Sequence, residues 1–375
     1  MNIRRWFDKL IDALAWVYDF LAGMGKYTPA FMRQRNFLIG VAIFLFVMIT
    51  TFSVYFYQLF FTPNLQLKGE DTYLYIPEKA TFATVLDSLE KNKILHDKMS
   101  FAFVARLLKY RDNIKPGRYL IRKKMANRAA ILMLRNGIQA PMKLTFNNIR
   151  TKADFVERVG KTFAFGETNL LTLLDDAQKI GEYGFDTTNV MCMFIPDTYE
   201  LYWNISSESF LKRMHKEYEK FWNAKRQDKA KALGLTPIQV AVLASIVQAE
   251  TIKEDEKPRV AGVYLNRLKK DMLLQADPTL VFAWGDFSMK RVLNKHKEIA
   301  SPYNTYKYKG LPPGPINIPA VSSIDAVLNH ESHEYLFFCA REDFSGYHNF
   351  AKTNAEHEEN ARKYQKALNK RQIYN

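Results

Sequence analysis

The sequence predicts an α+β protein carrying one N-terminal membrane-crossing helix, and three observations predict it. An uncharged apolar run covers residues 37–61, strand-like and helix-like stretches alternate over residues 71–146, and two helices with capping signals open at Thr151 and Thr236. With 375 residues and 47% hydrophobic content, the chain holds enough apolar material for two folded domains beyond the membrane and does not read as disordered. The expected order is a cytoplasmic segment over 1–36, the membrane helix over 37–61, a small α+β module over 62–140, and a mixed α/β domain over 141–375.

In the first segment Phe7, Leu10, Ile11, Leu14, Val17, Tyr18 and Leu21 recur at helical spacing. They predict an amphipathic helix lying on the membrane surface or meeting a partner helix. The run FLIGVAIFLFVMITTFSVYFYQLFF would reach roughly 37 Å as a helix, against a hydrocarbon core of roughly 30 Å. It is apolar on every face and ends in the cluster Tyr55, Phe56, Tyr57, Phe60 and Phe61, which suits a span rather than a buried core helix. The run is too long and begins too late for a cleaved signal peptide, and it lacks a small-residue cleavage site, so it reads as an uncleaved anchor.

Arg4, Arg5, Lys9, Lys26, Arg33 and Arg35 precede the span, whereas only Lys68 follows it closely, beside Glu70 and Asp71. This bias predicts a cytoplasmic N-terminus and an outward-facing chain from about Thr62. A net charge of +15 would suit nucleic acid, anionic lipid or an acidic polymer. The topology disfavours nucleic acid, because the basic residues then lie outside the cytoplasm.

From Asp71 to Phe146 the pattern runs through an extended DTYLYIP, helical TFATVLDSLEKNKIL and SFAFVARLLKYRD, and a turn at Lys115-Pro116-Gly117. It continues with RYLI, a helix ending near Gly137, and PMKLTF. TKAD at Thr151 then opens a helix, with an acidic residue three positions beyond its cap. The last stretch, from His357 to Lys370, is charged with helical period and predicts a solvated closing helix. Cys192 and Cys339 are the only cysteines; they form no CxxC or Cys/His zinc pattern and read as free. His330 and His333 have metal-like spacing without further ligands, so neither a metal nor any other cofactor is expected.

The sharpest signal is LASIVQAETIKEDEKPRV. Thr236-Pro237-Ile238-Gln239 forms a capping-box start, so a helix runs from Pro237 to about Thr251. Its inward stripe of Leu243, Ile246 and Val247 continues onto Glu250, where a carboxylate replaces a leucine. A glutamate at a fraying end, paired with Arg259 or Arg267, is the bland alternative. Against it stand Asn266, Gln275 and Asp277, followed by Tyr303, Asn304, Thr305 and Tyr306 before a stiff Pro/Gly loop. Convergent amide, hydroxyl and aromatic groups describe a cleft suited to a sugar polymer, whose ring faces stack on aromatics.

ASIVQAET, VYLNRL, MLLQADPTLVFAWG, SPYNTYKYKGLPPGPINIP and GYHNFAKTNAEH, with FIPDTYELYW upstream, resemble in order and spacing the membrane-anchored endolytic murein transglycosylases, the MltG or YceG-like family. The resemblance is highly specific over about Phe194 to His357 and implies that the small module is LysM-like. The family motif carries two acidic residues two apart, E-x-E-T, whereas here Gln248, Ala249, Glu250 and Thr251 keep one. Glu250 therefore matches the catalytic acid.

The implied chemistry needs only one. A hydrolase uses a second carboxylate as nucleophile or base. A lytic transglycosylase instead lets the C6 hydroxyl of N-acetylmuramic acid close onto C1, so that one residue serves as acid and then base. Asn266, Gln275, Asp277, Tyr303, Asn304 and Tyr306 are assigned to substrate binding, with internal bracing as the alternative for the amides and a turn or helix cap for Asp277. A catalytic role for Asp277 also stays open. His348 of GYHNF matches the family pattern and reads as structural. Peptidoglycan strands, the membrane and peptidoglycan synthases are the implied partners; a muramidase and a non-catalytic wall-binding scaffold are the competing readings.

Overall fold

In the computed structural model, residues 35–370 are described apart from 68, 148 and 290, together with 16, 17, 19, 20 and 23. The amphipathic pattern from Phe7 to Leu21 falls largely outside the described residues. Helix α1 is Arg35–Phe61, and its Ile39–Phe61 stretch is long and apolar enough to cross a membrane. The chain divides into two units, Met1–Gln139 and Ala140–Asn375.

After α1 the first unit contains β1 (Pro63–Leu65), β2 (Thr72–Ile76), α2 (Phe82–Lys91), α3 (Lys98–Leu107), β3 (Gly117–Ile121), β4 (Met125–Ala126) and α4 (Asn127–Asn136). β2 pairs antiparallel with β3, with Thr72 opposite Ile121, and β1 pairs antiparallel with β4. Thr81 and Asp97 cap α2 and α3 through their side-chain oxygens, and Gly137 ends α4 at φ 72°, a left-handed conformation that glycine adopts without steric cost. Leu74, Ile76, Leu89, Phe101, Val104 and Ile131 form the core of this unit.

A buried amide network ties the end of α1 into that core. Asn127 Nδ2 donates to the Leu59 carbonyl at 2.9 Å, one of the last-turn carbonyls that a helix leaves unpaired. Asn64 Nδ2 donates to Asn127 Oδ1 at 2.7 Å and to the Asp97 carbonyl at 2.8 Å.

The second unit opens with β5 (Met142–Thr145), which pairs antiparallel with β6 (Thr198–Leu201). PMKLTF, the last stretch of the alternating sequence pattern, lies in the second unit. Thr151 caps α5 (Lys152–Gly160) in a capping box with Asp154, and α6 (Gly166–Asp175) and α7 (Ala177–Gly181) follow. An aromatic cluster of Phe146, Phe155, Phe194 and Phe210 fills the core around them, with Phe155 and Phe194 centroids 4.2 Å apart.

Helices α8 (Ser207–Phe221) and α9 (Ala224–Ala232) lead into α10 (Pro237–Glu250), whose capping box joins Thr236 and Gln239. Every residue from Val240 to Val247 is buried, so α10 is surrounded rather than buried along one stripe. Around it pack α11 (Lys257–Lys269), α12 (Asp277–Trp284) and α13 (Val321–Leu328), and a β-hairpin of β7 (Phe337–Ala340) and β8 (His348–Ala351) and α14 (Asn354–Lys370) complete the chain. Gly262 on α11 allows a close approach, since a Cβ there would lie 2.6 Å from the Glu331 carbonyl oxygen. Cys192 is buried and Cys339 half-buried, both as free thiols.

Replacing Asn127 by alanine leaves the Leu59 carbonyl and the Asn64 amide without this partner inside the core. The expected cost is on the order of 2–3 kcal/mol. Thermal unfolding of the full chain in detergent should show a lowered midpoint; an unchanged midpoint would mean that water replaces the amide at no cost.

Candidate active site

Glu250 is the last residue of α10, where the buried helix reaches a cavity of about 990 Å³. Gln248, Asp277, Phe282, Phe287 and Asn317 also line the cavity, and Arg150 and Tyr364 contribute to its wall. The closing helix α14 has no buried residue, as a solvated helix should, and Tyr364, Gln365, Leu368 and Asn369 line one edge of this space.

The Glu250 side chain is half-buried by accessible surface, yet the density of protein around its carboxyl makes desolvation the dominant influence. Burial raises its pKa from 4.5 to about 7, and the nearby charge of Asp277 pushes the same way. Two groups oppose that rise. The Tyr264 hydroxyl on α11 donates to Glu250 Oε1 at 2.5 Å, and the Arg267 guanidinium favours the anion through space. Tyr264 in turn has its hydroxyl pKa raised, first by burial and then by the charge of Glu250.

Neither arginine suggested by sequence spacing pairs with Glu250. Arg259 bonds Glu331, with Nε 2.9 Å from Oε2. Arg267 donates to the backbone carbonyls of Leu336 at 2.6 Å and Leu274 at 2.7 Å. Tyr264, the actual partner, was missed. It is legible in VAGVYLNRL, because Val260, Val263, Tyr264 and Arg267 share one inward face of an amphipathic helix.

The residues flanking Glu250 are held on both sides. Gln248 Nε2 donates to Asn317 Oδ1 at 3.1 Å, while its Oε1 accepts from the Ala320 amide at 2.5 Å and Ser323 Oγ at 3.2 Å. Asn317 Nδ2 donates to the Ser245 carbonyl at 2.8 Å, closing the link back to α10. On the other side Thr251 Oγ1 donates to Glu256 Oε2 at 3.3 Å. The buried Glu256 carboxylate also accepts from the backbone N–H of His348 at 2.8 Å, and His348 Nδ1 lies 2.6 Å from its other oxygen. Phe338 packs edge-on against both Tyr264 and His348, so the GYHNF hairpin and α10 are fixed to the same support.

The residues assigned to binding fall into two groups. Asp277 is exposed in the cavity wall and accepts from the Tyr306 hydroxyl at 2.5 Å; burial and the Asp277 charge raise the Tyr306 pKa. Tyr303 is half-buried against Phe282, with centroids 4.8 Å apart, and burial pushes its hydroxyl pKa up to about 12. Asn304 is fully buried and donates to the Lys297 and Ile299 carbonyls, both at 2.8 Å, so its amide braces the loop. Asn266 donates to the carbonyls of His333 at 2.8 Å and Tyr335 at 3.0 Å and does not line the cavity. Gln275 is exposed at φ 50°, its backbone N–H bonded to Thr305 O at 3.0 Å, and it also lies off the cavity wall.

His333 Nε2 lies 2.9 Å from the Arg259 carbonyl and its Nδ1 accepts from the Tyr335 amide at 3.1 Å, so both ring nitrogens are engaged. Among the described residues no group of three or more His, Cys, Asp or Glu side chains is placed to hold a metal ion. Chemically, the cavity offers a carboxyl group that can carry a proton near neutral pH, beside an exposed carboxylate at Asp277.

A pKa raised by folding makes a signed prediction about stability. The folded protein holds the Glu250 proton more tightly than the unfolded chain, so this stabilisation is full below pH 4.5 and is lost as pH rises through about 7. Glu250→Gln carries no such loss and still accepts the Tyr264 hydrogen bond. Relative to wild type, it should gain on the order of 2 kcal/mol between pH 5 and pH 8, allowing for the solvent-facing edge of the side chain. Chemical denaturation at the two pH values reads this directly, and a pH-independent difference would contradict the raised pKa.

The YceG-like family matches residues 74–363 of the chain. The endolytic murein transglycosylase of Bacillus subtilis is 28% identical over 312 residues, covering 79% of this chain and 85% of that protein. The endolytic murein transglycosylase of Streptococcus pneumoniae is 25% identical over 295 residues, covering 71% of this chain and only 53% of that protein. The crystal structure of a yceG-like protein from Listeria monocytogenes superposes with a TM-score of 0.52 at 27% identity, covering 77% of this chain and 98% of that one. With the family match running through both units and across α10 and the cavity residues, this chain belongs to the YceG-like family.

Proposed function

We propose that the chain is a membrane-anchored endolytic lytic transglycosylase of peptidoglycan, cutting between N-acetylmuramic acid and N-acetylglucosamine within glycan strands. The observation that carries this reading is the Glu250 carboxyl, set at the end of a buried helix in a large cavity with its pKa raised to about 7. The names of the Bacillus subtilis and Streptococcus pneumoniae relatives support the same activity.

Protonated Glu250 gives its proton to the bridging oxygen, the bond from that oxygen to C1 breaks, and the N-acetylglucosamine side leaves as an alcohol. The muramyl C6 oxygen then bonds to C1 while its proton passes to the Glu250 carboxylate. This closes a 1,6-anhydro ring and restores the acid without water. A pKa near 7 suits both transfers, since neither protonation state is strongly favoured at neutral pH. Asp277, aligned by Tyr306, supplies negative charge that stabilises an oxocarbenium-like C1.

In this reading Ile39–Phe61 crosses the membrane with the N-terminus in the cytoplasm, and the first unit is a LysM-like holder of glycan. The enzyme then trims or terminates nascent strands next to the synthases. A muramidase is the second reading, favoured by Asp277 sharing the cavity with Glu250, because a second carboxylate can activate water.

Glu250→Gln should lower strand cleavage by at least about 10²- to 10⁴-fold while the protein remains folded. Mass spectrometry of products from uncrosslinked strands should show 1,6-anhydro-muramyl ends for wild type. Hydrated reducing ends alone would replace the transglycosylase with the hydrolase, and cleavage by Glu250→Gln at near wild-type rate would remove Glu250 from the reaction.

The rate should also depend on pH with a predictable sign. Because Glu250 must start protonated, kcat/KM should fall as pH rises above about 7. Tyr264→Phe removes the hydrogen bond that lowers the Glu250 pKa, so this limb should move to higher pH. A limb that stays in place in Tyr264→Phe would assign the titration to another group.

A further inference from the structure

Among the described residues Arg150 is the positively charged one that lines both of two adjoining cavities. It lines the large cavity with Glu250, and it lines a smaller one of about 200 Å³ whose wall also includes Lys152, Tyr303 and Pro315. Phe282 and Asn317 are common to both, so the smaller space lies directly beside the larger.

The backbone around Arg150 is pinned. Ile149 O accepts from Ile318 N at 2.8 Å, and the Thr151 N–H donates to Asp154 Oδ2 at 3.1 Å in the cap of α5. Arg150 is exposed, and its guanidinium lies over the Phe287 ring, 4.5 Å from the centroid, a cation–π contact that holds the group beside the cavity while its N–H donors stay open to solvent. Among the described residues no carboxylate pairs with it. Lys152, by contrast, is matched by Asp175 at 2.8 Å and the Thr187 carbonyl at 2.8 Å. Nor is Arg150 one of the charges acting on Glu250, which are those of Asp277 and Arg267. A pre-oriented fork of donors, unmatched by protein and set apart from the proton-transfer group, is built to take an anion from a ligand.

Resting on the reading above, we infer that Arg150 binds a carboxylate carried by the C3 substituent of the muramyl sugar, with that substituent lying in the smaller cavity. The site thereby recognises the peptide-bearing side of the substrate as well as its sugar chain. Two sources share this chemistry. In strands with intact stems the carboxylates belong to the stem peptide, and in strands stripped by an amidase the lactyl group itself is a carboxylate.

The test is a cycle of two proteins and two substrates, with the full chain in detergent. Wild type and Arg150→Met, which keeps an apolar cover on Phe287, are assayed on uncrosslinked strands with free stem carboxylates and on the same strands with those carboxylates converted to amides. Amidation should slow wild type by about tenfold to a hundredfold, mainly through KM, the size of a lost charge-assisted contact. Arg150→Met should be slowed similarly on native strands and hardly respond to amidation, and Arg150→Lys should recover part of the loss. Strands stripped by amidase identify the source. If amidation leaves wild type unaffected while stripped strands are cleaved at native speed and depend on Arg150, the lactyl carboxylate is the partner. Independent losses that multiply on intact strands, together with no dependence on Arg150 for stripped ones, would overturn the inference. A wild-type protein that cleaves none of these strands overturns the transglycosylase reading first, and the inference falls with it.

Discussion

Everything at the cavity depends on how α10 is buried. From Val240 to Val247 the helix has no solvent-facing side, so the point at which it emerges is fixed by packing against α11 and α13 rather than by local propensity. That point is Glu250. A carboxylate at the C-terminal end of a helix faces the negative pole of the macrodipole as well as the loss of water. Both disfavour its charge, and one short hydrogen bond from Tyr264 is the chief compensation. The balance leaves the pKa raised to about 7, where the proposed transfer of a proton in both directions at neutral pH would have neither state strongly favoured.

Keeping that balance requires rigid support, because a small rotation of the carboxyl into solvent would return it to an ordinary pKa. The support comes from segments far apart in sequence. Asn317 and Ala320 hold Gln248, Glu256 and His348 hold Thr251, and Phe338 backs Tyr264. Each clamp joins a residue adjacent to Glu250 in space or sequence to a loop or hairpin contributed by the last third of the chain. The GYHNF hairpin thus acts at a distance, by fixing the helix end, while the PPGP loop both fixes the helix and brings Asn317 to the cavity wall.

Local chemistry was the legible part of the sequence. The capping boxes at Thr151 and Thr236, the helix ended by Gly137 and the apolar run of α1 all follow from patterns local in the sequence. Patterns that depend on what lies across the fold were not legible. The amides of Asn266 and Asn304 look like ligand donors until their backbone partners are known, and those partners are carbonyls at 333, 335, 297 and 299. Likewise α10 reads as one-sided from sequence because its surroundings cannot be counted from its own composition.

The departure from the family's E-x-E-T pattern can be understood in these terms. Gln248 uses both ends of its amide: the oxygen accepts from Ala320 and Ser323, and the nitrogen donates to Asn317 Oδ1. A glutamate could accept but not donate. It would face the Asn317 oxygen, and turning the Asn317 amide to suit it would remove the donor now held by the Ser245 carbonyl. Gln248 and Asn317 are therefore a matched pair, and the neutral side chain has an electrostatic consequence. A second buried anion near Glu250 would add to the effect of Asp277 and drive the Glu250 pKa higher still, which in the proposed reaction would favour giving the proton over taking it back. With a neutral residue two positions before it, the Glu250 pKa is raised chiefly by desolvation, to about 7, which suits the proposed use of a single carboxyl in both halves of an intramolecular transfer.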